Sequence, residues 1–284
     1  MAAMTTYPDA LAAESALNAD AERRFGALAR LYGEAAPARL AAAHVAVVGI
    51  GGVGSWTAEA LARSGVGRLT LIDLDHVSES NINRQIHALT STLGLSKIDA
   101  MAERVRQINP DCVLELVDDF VSAENIETVL AGDYDMVIDC ADQAPAKIAM
   151  ILHARARKQA LLICGGAGGK TDPLTLRTGD LSASVNDALL AKLRNTLRRQ
   201  HGFPKASDQA GKPRKRVPKM QVRALWFDQP AILPALWAEP SDAASAAPQG
   251  LSCAGYGSIV TVTAIMGMAA ANEAIAHVLR QPAA

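Results

Sequence analysis

The side chains best suited to chemistry lie behind one glycine run. Gly49-Ile50-Gly51-Gly52-Val53-Gly54-Ser55 follows the apolar run His44 to Val48 and precedes a helix-like stretch. Glycines there keep a strand-to-helix turn tight and let backbone N–H groups approach a phosphate, whose charge the helix dipole favours. Asp73 ends the second apolar run, 21 residues after Gly52, the spacing at which a carboxylate reaches a ribose diol. These features fit an adenosine ligand without separating NAD from ATP. Glycines needed only for strand–helix packing would give the same run.

Four stretches further along the chain separate the two ligands: Asp73-Leu74-Asp75, Ser80-Asn81-Ile82-Asn83-Arg84-Gln85, Ser96-Lys97 and Asp139-Cys140-Ala141-Asp142-Gln143. Hydride transfer needs no cations and carboxylates beside a pyrophosphate, whereas nucleotidyl transfer does. An α-phosphate attacked by a carboxylate gathers charge on its oxygens, so fixed cations and a Mg²⁺-holding carboxylate stabilise the transition state above the ground state. Arg84 and Lys97 would supply the cations and Asp142 would hold the metal. The bland alternatives are surface ion pairs for Arg84 and Asp142 and a solvated helix start for Lys97. All three in this order behind the glycines argue against coincidence.

These residues need a scaffold that brings distant chain ends together. From His44 onward short β-branched runs alternate with amphipathic stretches, the pattern of βαβ units and a mainly parallel open α/β sheet of Rossmann type. Strands are predicted at 44–48, 68–73, 112–117, 134–139 and 160–164, and helices at about 55–63, 96–108, 123–130 and 145–158. Residues 21–43 read as helix, with Phe25, Leu28, Leu31 and Tyr32 on one packed side. After Cys164 the alternation gives way to insert-like material: a glycine cluster at 165–169, a strand near 174–177 and a helix near 185–199. Mobile loops are predicted at 201–218 and 238–250. The apolar stretch from Gly257 to Leu279 is long enough for a membrane span, but Asn272, Glu273 and His277 favour a buried amphipathic helix.

Composition narrows the class. Half of the 284 residues are hydrophobic, which excludes a disordered chain, and only 4% are aromatic, which disfavours an all-β sandwich. Cys112, Cys140, Cys164 and Cys253 form no CxxC pair, so no local zinc knuckle or dithiol motif is present. Residues 1–20 lack a basic stretch followed by an apolar core, so a cytoplasmic protein with reduced thiols is expected. The net charge of −1 conceals a strong asymmetry: residues 192–223 carry +10 and the remainder −11. Interrupted by glycines and prolines, the basic segment suits an RNA backbone; a solvated loop is the plainer alternative.

The pattern GxGGxGS, DxD, NxNRQ, a downstream Lys and DxxD resembles the ubiquitin-activating-enzyme superfamily of adenylating proteins, including the ThiF and MoeB enzymes. Arg24-Phe25, Arg30-Leu31-Tyr32-Gly33, Asn83 to Leu89, Arg106 to Pro110, Val117 to Val121 and Gly165 to Gly169 are similar to its tRNA threonylcarbamoyladenosine dehydratase branch. The likeness is strong from Arg24 to Leu181 and weak beyond. It implies an N-terminal helical segment (1–43), an ATP-binding adenylation core (44–181) and a smaller C-terminal extension (182–284). It further implies contacts to ATP, Mg²⁺ or both from Gly49, Gly51, Gly52, Gly54, Asp73, Asp75, Asn81, Asn83, Arg84, Gln85, Lys97 and Asp142, with Arg84, Lys97 and Asp142 catalytic and Asp142 on the metal. An alkali-metal ion beside the nucleotide belongs to the same set of implied cofactors. The substrate implied is a tRNA whose threonylcarbamoyl carboxylate is adenylated and then cyclised with release of AMP. In the extension, Arg198, Arg199, Lys212, Arg214, Lys215, Arg216 and Lys219 are the candidate tRNA contacts.

The alternative within the superfamily is an adenylyltransferase for the C-terminus of a small sulfur-carrier protein. The missing CxxC pairs and the lack of an obvious thioester cysteine disfavour it. An NAD-dependent oxidoreductase leaves Asn83-Arg84-Gln85 without a role, and a non-catalytic scaffold would not need Arg84, Lys97 and Asp142 together. The resemblance also implies a homodimer, with Arg30 a candidate to reach across it. No membrane partner is expected. Association with a cysteine desulfurase and its sulfur acceptor, seen with some members, is the weakest implied partnership, because Val222 to Phe227 lacks the cysteine those members carry.

Overall fold

Parallel strands buried on both faces need continuous apolar runs, and the first such run lies inside the sheet with a strand on either side. The computed structural model describes residues 20–208, 210–212, 214–232 and 256–281. In it His44–Val48 (β1) is buried throughout and pairs in parallel with Arg68–Ile72 (β2) and Met136–Asp139 (β4). Val113–Val117 (β3) adds beyond β2, and Leu161–Cys164 (β5) beyond β4. The stretch after Cys164 extends the same sheet: Arg223–Phe227 (β7) pairs parallel with β5, and Leu176–Asp180 (β6) closes the edge antiparallel to β7. The seven strands run in the order β3-β2-β1-β4-β5-β7-β6.

Alternation along β1 divides the core. Val45 and Val47 face a cluster with Ala58 and Leu61 of Gly54–Arg63 (α4), Ile98 and Met101 of Lys97–Ile108 (α5), and Met266 and Ala270 of Val260–Arg280 (α9). Ala46 and Val48 face the other way, toward Ile126 and Val129 of the short helix Ile126–Val129 (α6) and Met150 of Ala144–Arg157 (α7). Ala188–Gln200 (α8) buries Leu190, Leu193 and Leu197 with Phe203 and Trp226. The apolar helix α9 buries one side, Val262 through Val278, in the core.

The N-terminal segment differs from the single helix predicted for 21–43. It forms three short helices, Ala21–Phe25 (α1), Ala27–Tyr32 (α2) and Ala36–Ala42 (α3). The break after α2 falls at Gly33, whose φ of 96° belongs to the left-handed region that favours glycine. The expected packed side is split: Leu28 packs on the core and Phe25 abuts Gly65, whereas Leu31 is 70% exposed and Tyr32 47%. The helix predicted at 123–130 shrinks to α6. The helix predicted from 185 starts at Ala188, because the Asp187 carboxylate accepts the Leu190 N–H and caps it there. Part of the basic loop is a turn, with Asp208 N–H donating to Lys212 O and Arg214 N–H to Ala206 O. The loop predicted at 238–250 and Cys253 lie outside the described residues.

Candidate active site

Strand order reverses between β1 and β4, and in open parallel sheets the crevice at the carboxyl ends of such a pair is where ligands bind. A cleft of about 690 Å³ opens there, lined by Gly49, Gly51 and Gly52 after β1 and by Cys140, Ala141 and Asp142 after β4. Gly49 has φ 86°, and a Cβ on it would press on the Cys140–Ala141 peptide at 3.0 Å. A Cβ on Gly54 would overlap Gly49 O, so this glycine shapes the turn from within and does not line the cleft. Helix α4 starts at that point with no side-chain cap, and although the Ser55 N–H donates back to Gly51 O at 3.1 Å, the dipole at this N-terminus favours an anion in the cleft.

Asp73, at the end of β2, accepts the Ile50 N–H at 2.6 Å and the Asp75 N–H at 2.8 Å, which ties the glycine turn to the second strand. Burial pushes its carboxyl above the usual carboxylate range, against the pull of Lys97 4.0 Å away and of the two N–H donors. Lys97 is not the solvated helix start of the bland reading. Its side chain is 8% exposed, and its ammonium reaches Asp75 Oδ2 at 2.6 Å. Arg84 and Asp142 form no ion pair among the described residues, so neither is a surface ion pair. The Arg84 guanidinium donates to Ser80 O at 2.6 Å and Asn83 Oδ1 at 3.0 Å, while Trp56 Nε1 holds the Arg84 carbonyl at 3.0 Å. Asn83 is tied to Ser258 O at 2.8 Å, and the buried Asn81 fixes its own turn by accepting the Ser78 N–H. Gln85 is buried, and its Oε1 has no partner among the described residues.

All of the predicted nucleotide residues except Gly54 therefore line one cleft. Sequence reasoning missed its far wall: Gly165, Gly166, Gly168, Lys170, Asn186, Asp187, Tyr256, Ser258 and Thr263. The glycine cluster was visible as a signal; Asp187 and Ser258 carried none. Asp187 Oδ2 accepts the Gly166 N–H at 2.8 Å, so the residue capping α8 also shapes the glycine turn. Also missed was the pair beneath the floor. Lys147, fully buried on α7, donates to Asp139 Oδ1 at 2.9 Å and to Cys164 O at 2.8 Å, pinning the ends of β4 and β5 from which Asp142 and the glycine cluster project.

Among the described residues no group of three or more His, Cys, Asp or Glu can form a protein metal cage. Asp142, exposed at the rim and without an ion pair among the described residues, instead fits Mg²⁺ held by one carboxylate and substrate phosphates. Near Lys170, the carbonyls of Asn186 and Gln229 are already met by its ammonium, so that carbonyl pair does not fit an additional alkali ion. The basic segment is elsewhere. Arg198, Arg199, Lys212, Arg214, Lys215, Arg216 and Lys219 do not line the cleft, and the segment feeds into the start of β7, at the pole of the parallel strands opposite the cleft. Arg198 Nε donates to Pro204 O at 3.2 Å and Arg214 Nε to Ser207 O at 3.0 Å. The two regions are joined by α8, which begins at Ala188 and Leu189 on the cleft wall and ends where the basic loop begins.

The family model described as "ThiF family" matches residues 25–284. The chain belongs to the ThiF family. Within it, this ThiF-family chain is 41% identical over 261 residues to the tRNA threonylcarbamoyladenosine dehydratase of Haemophilus influenzae, covering 92% of this chain and 95% of that protein. The crystal structure of the Escherichia coli tRNA N6-threonylcarbamoyladenosine dehydratase TcdA in complex with ATP superposes with a TM-score of 0.78 at 41% identity, covering 92% of this chain and 96% of that one. The same enzyme in complex with AMP gives a TM-score of 0.78 at 42% identity and the same coverage. The mainly parallel sheet is thus the ThiF-family sheet.

Proposed function

We propose that this chain is an ATP-dependent tRNA threonylcarbamoyladenosine dehydratase. The observation that carries the reading is the convergence of the glycine turn, Asp73, Arg84, Lys97 and Asp142 on one cleft in a chain similar over nearly its whole length to dehydratases of that name. The substrate carboxylate attacks the α-phosphate of ATP, and pyrophosphate leaves. The urea-type group of the same substrate then attacks the acyl carbon and loses a proton, closing a ring and expelling AMP, which carries away the oxygen that makes the net reaction a dehydration. Helix α4 and the glycine turn hold the phosphates; Arg84 and Lys97 stabilise the charge growing on the α-phosphate. Mg²⁺, held by Asp142 and the phosphates, would neutralise the pyrophosphate leaving group. No cysteine is needed, because the nucleophile belongs to the substrate.

We place the tRNA along α8, from the basic segment to the cleft. Ala188, Lys192, Asn195 and Arg199 are exposed at helical spacing on its outer side, and α8 spans about 20 Å at about 1.5 Å per residue. A homodimer and a cytoplasmic location complete the reading on the strength of the family resemblance. The sulfur-carrier alternative gives this basic track no role. With ATP, Mg²⁺ and threonylcarbamoylated tRNA, the purified protein should release AMP and yield a nucleoside lighter by one water. Arg84→Ala should lower AMP release at least 100-fold, the size of effect of losing one transition-state donor, with the melting temperature unchanged. An unchanged nucleoside mass with folded, ATP-binding protein would reject the assignment.

A further inference from the structure

A second cavity, of about 450 Å³, lies between the ends of α1, α4 and α5 and is lined by Arg24, Phe25, Arg63, Arg104, Gln107 and Ile108. It is far from the chemistry. Helix α4 begins at the nucleotide turn, and Arg63 is its last residue, about 15 Å away at about 1.5 Å per residue.

Its charges do not balance. Glu59, almost fully buried, accepts from Arg63 Nε at 2.7 Å and from Arg104 Nε at 2.6 Å and Nη2 at 3.1 Å, so one carboxylate serves two guanidinium groups. Arg24 is held by backbone alone, donating to Gln107 O at 3.2 Å and Ile108 O at 2.7 Å at the carboxyl end of α5. The adjacent Glu103 is already engaged by Gln107 Nε2 at 3.1 Å and Arg106 at 3.9 Å. Three guanidinium groups against one carboxylate leave two positive charges in excess. Among the described residues both Nη atoms of Arg63, Nη1 of Arg104, and Nε and Nη2 of Arg24 meet no acceptor. Like charges gathered this closely repel unless an anion joins them, and planar guanidinium forks match the oxygens of a phosphate.

We infer that this cavity is a second phosphate-binding site, separate from the nucleotide cleft, which takes either a phosphate of an RNA backbone or the phosphate of a small ligand. The inference does not depend on the chemistry of the cleft. The test compares the full-length protein with Arg63→Gln, which alters an exposed side chain, and with Arg24→Gln. Inorganic phosphate should raise the melting temperature of the wild type above that in chloride at equal ionic strength. The share of the rise that this site contributes should be lost in both variants and kept in Arg84→Ala, which separates this site from the cleft. In a parallel arm, the slope of log affinity against log salt is measured for tRNA. A slope shallower by about 1 in each variant identifies an RNA phosphate, and an unchanged slope with the phosphate effect lost identifies a small phosphate ligand. If Arg63→Gln and Arg24→Gln both keep the wild-type response to phosphate and the wild-type salt slope, the site does not exist.

Discussion

At the scale of single residues, His87 is held where only its neutral form is favoured. It is buried near the cations Lys97 and Arg104, and neither ring nitrogen has a hydrogen-bond partner among the described residues. Burial, with those two cations, pushes its pKa down from 6.5 to about 4. The unfolded chain therefore binds this proton first as the pH falls. The stability contributed by the neutral ring is complete above pH 6.5 and is lost progressively toward pH 4. The shift corresponds to about 3 kcal/mol. In denaturant titrations at pH 7 and pH 4, the wild type should lose about 2 to 3 kcal/mol more than His87→Gln, whose amide does not titrate. Equal losses would show that the ring does not stay neutral in the folded protein.

Among the elements, the contact between α9 and α4 backs the nucleotide turn. A Cβ on Gly267 would stand 2.5 Å from Val53 O and 2.7 Å from Trp56 Cβ, and Thr263, one turn earlier on α9, contacts the space beside Gly52 and Arg84. Gly267→Ala must push the helices apart, so it should cost about 1 to 3 kcal/mol, the usual range for overpacking, and raise the Kd for ATP measured calorimetrically. Wild-type stability and ATP affinity together would show that α9 does not support the turn. The same elements mark what was legible in the sequence. The first five strands were readable because parallel strands are written as short apolar runs, and the near half of the site because glycines, Asp73 and Asp142 stand at their carboxyl ends. β7 was not readable as a member of this sheet, since its partner β5 lies some sixty residues earlier and no local pattern names a partner. Asp187 was hidden for the same reason: its value lies in the Gly166 N–H it meets only after folding. Lys147 escaped because a buried lysine on an amphipathic helix looks like any surface lysine until Asp139 is found beneath it. The segment 21–43 was misread because helical spacing of apolar residues says nothing of the break at Gly33.

For the whole molecule, the deciding quantity is where the charge sits. The −1 total is the sum of a +10 segment, which runs along α8 and through the loop that enters β7, and a −11 remainder. On the proposed reading, a polyanion is drawn to the basic loop while the reactive cleft lies at the other pole, and only a ligand long enough to follow α8 engages both. A free nucleoside is too small to do so, whereas an anticodon arm is not. Lys215, Arg216 and Lys219 are exposed and form no hydrogen bonds or ion pairs among the described residues, so replacing all three by glutamine should leave the fold and the KM for ATP unchanged. Each phosphate contact contributes roughly 0.7 to 0.9 to the slope of log affinity against log salt, so the triple variant should show a slope shallower by about 2 to 3 and weaker tRNA binding at low salt. Filter binding from about 50 to 300 mM salt would measure it. A slope equal to that of the wild type would remove the basic segment from the RNA interface and leave the cleft to recognise its substrate alone.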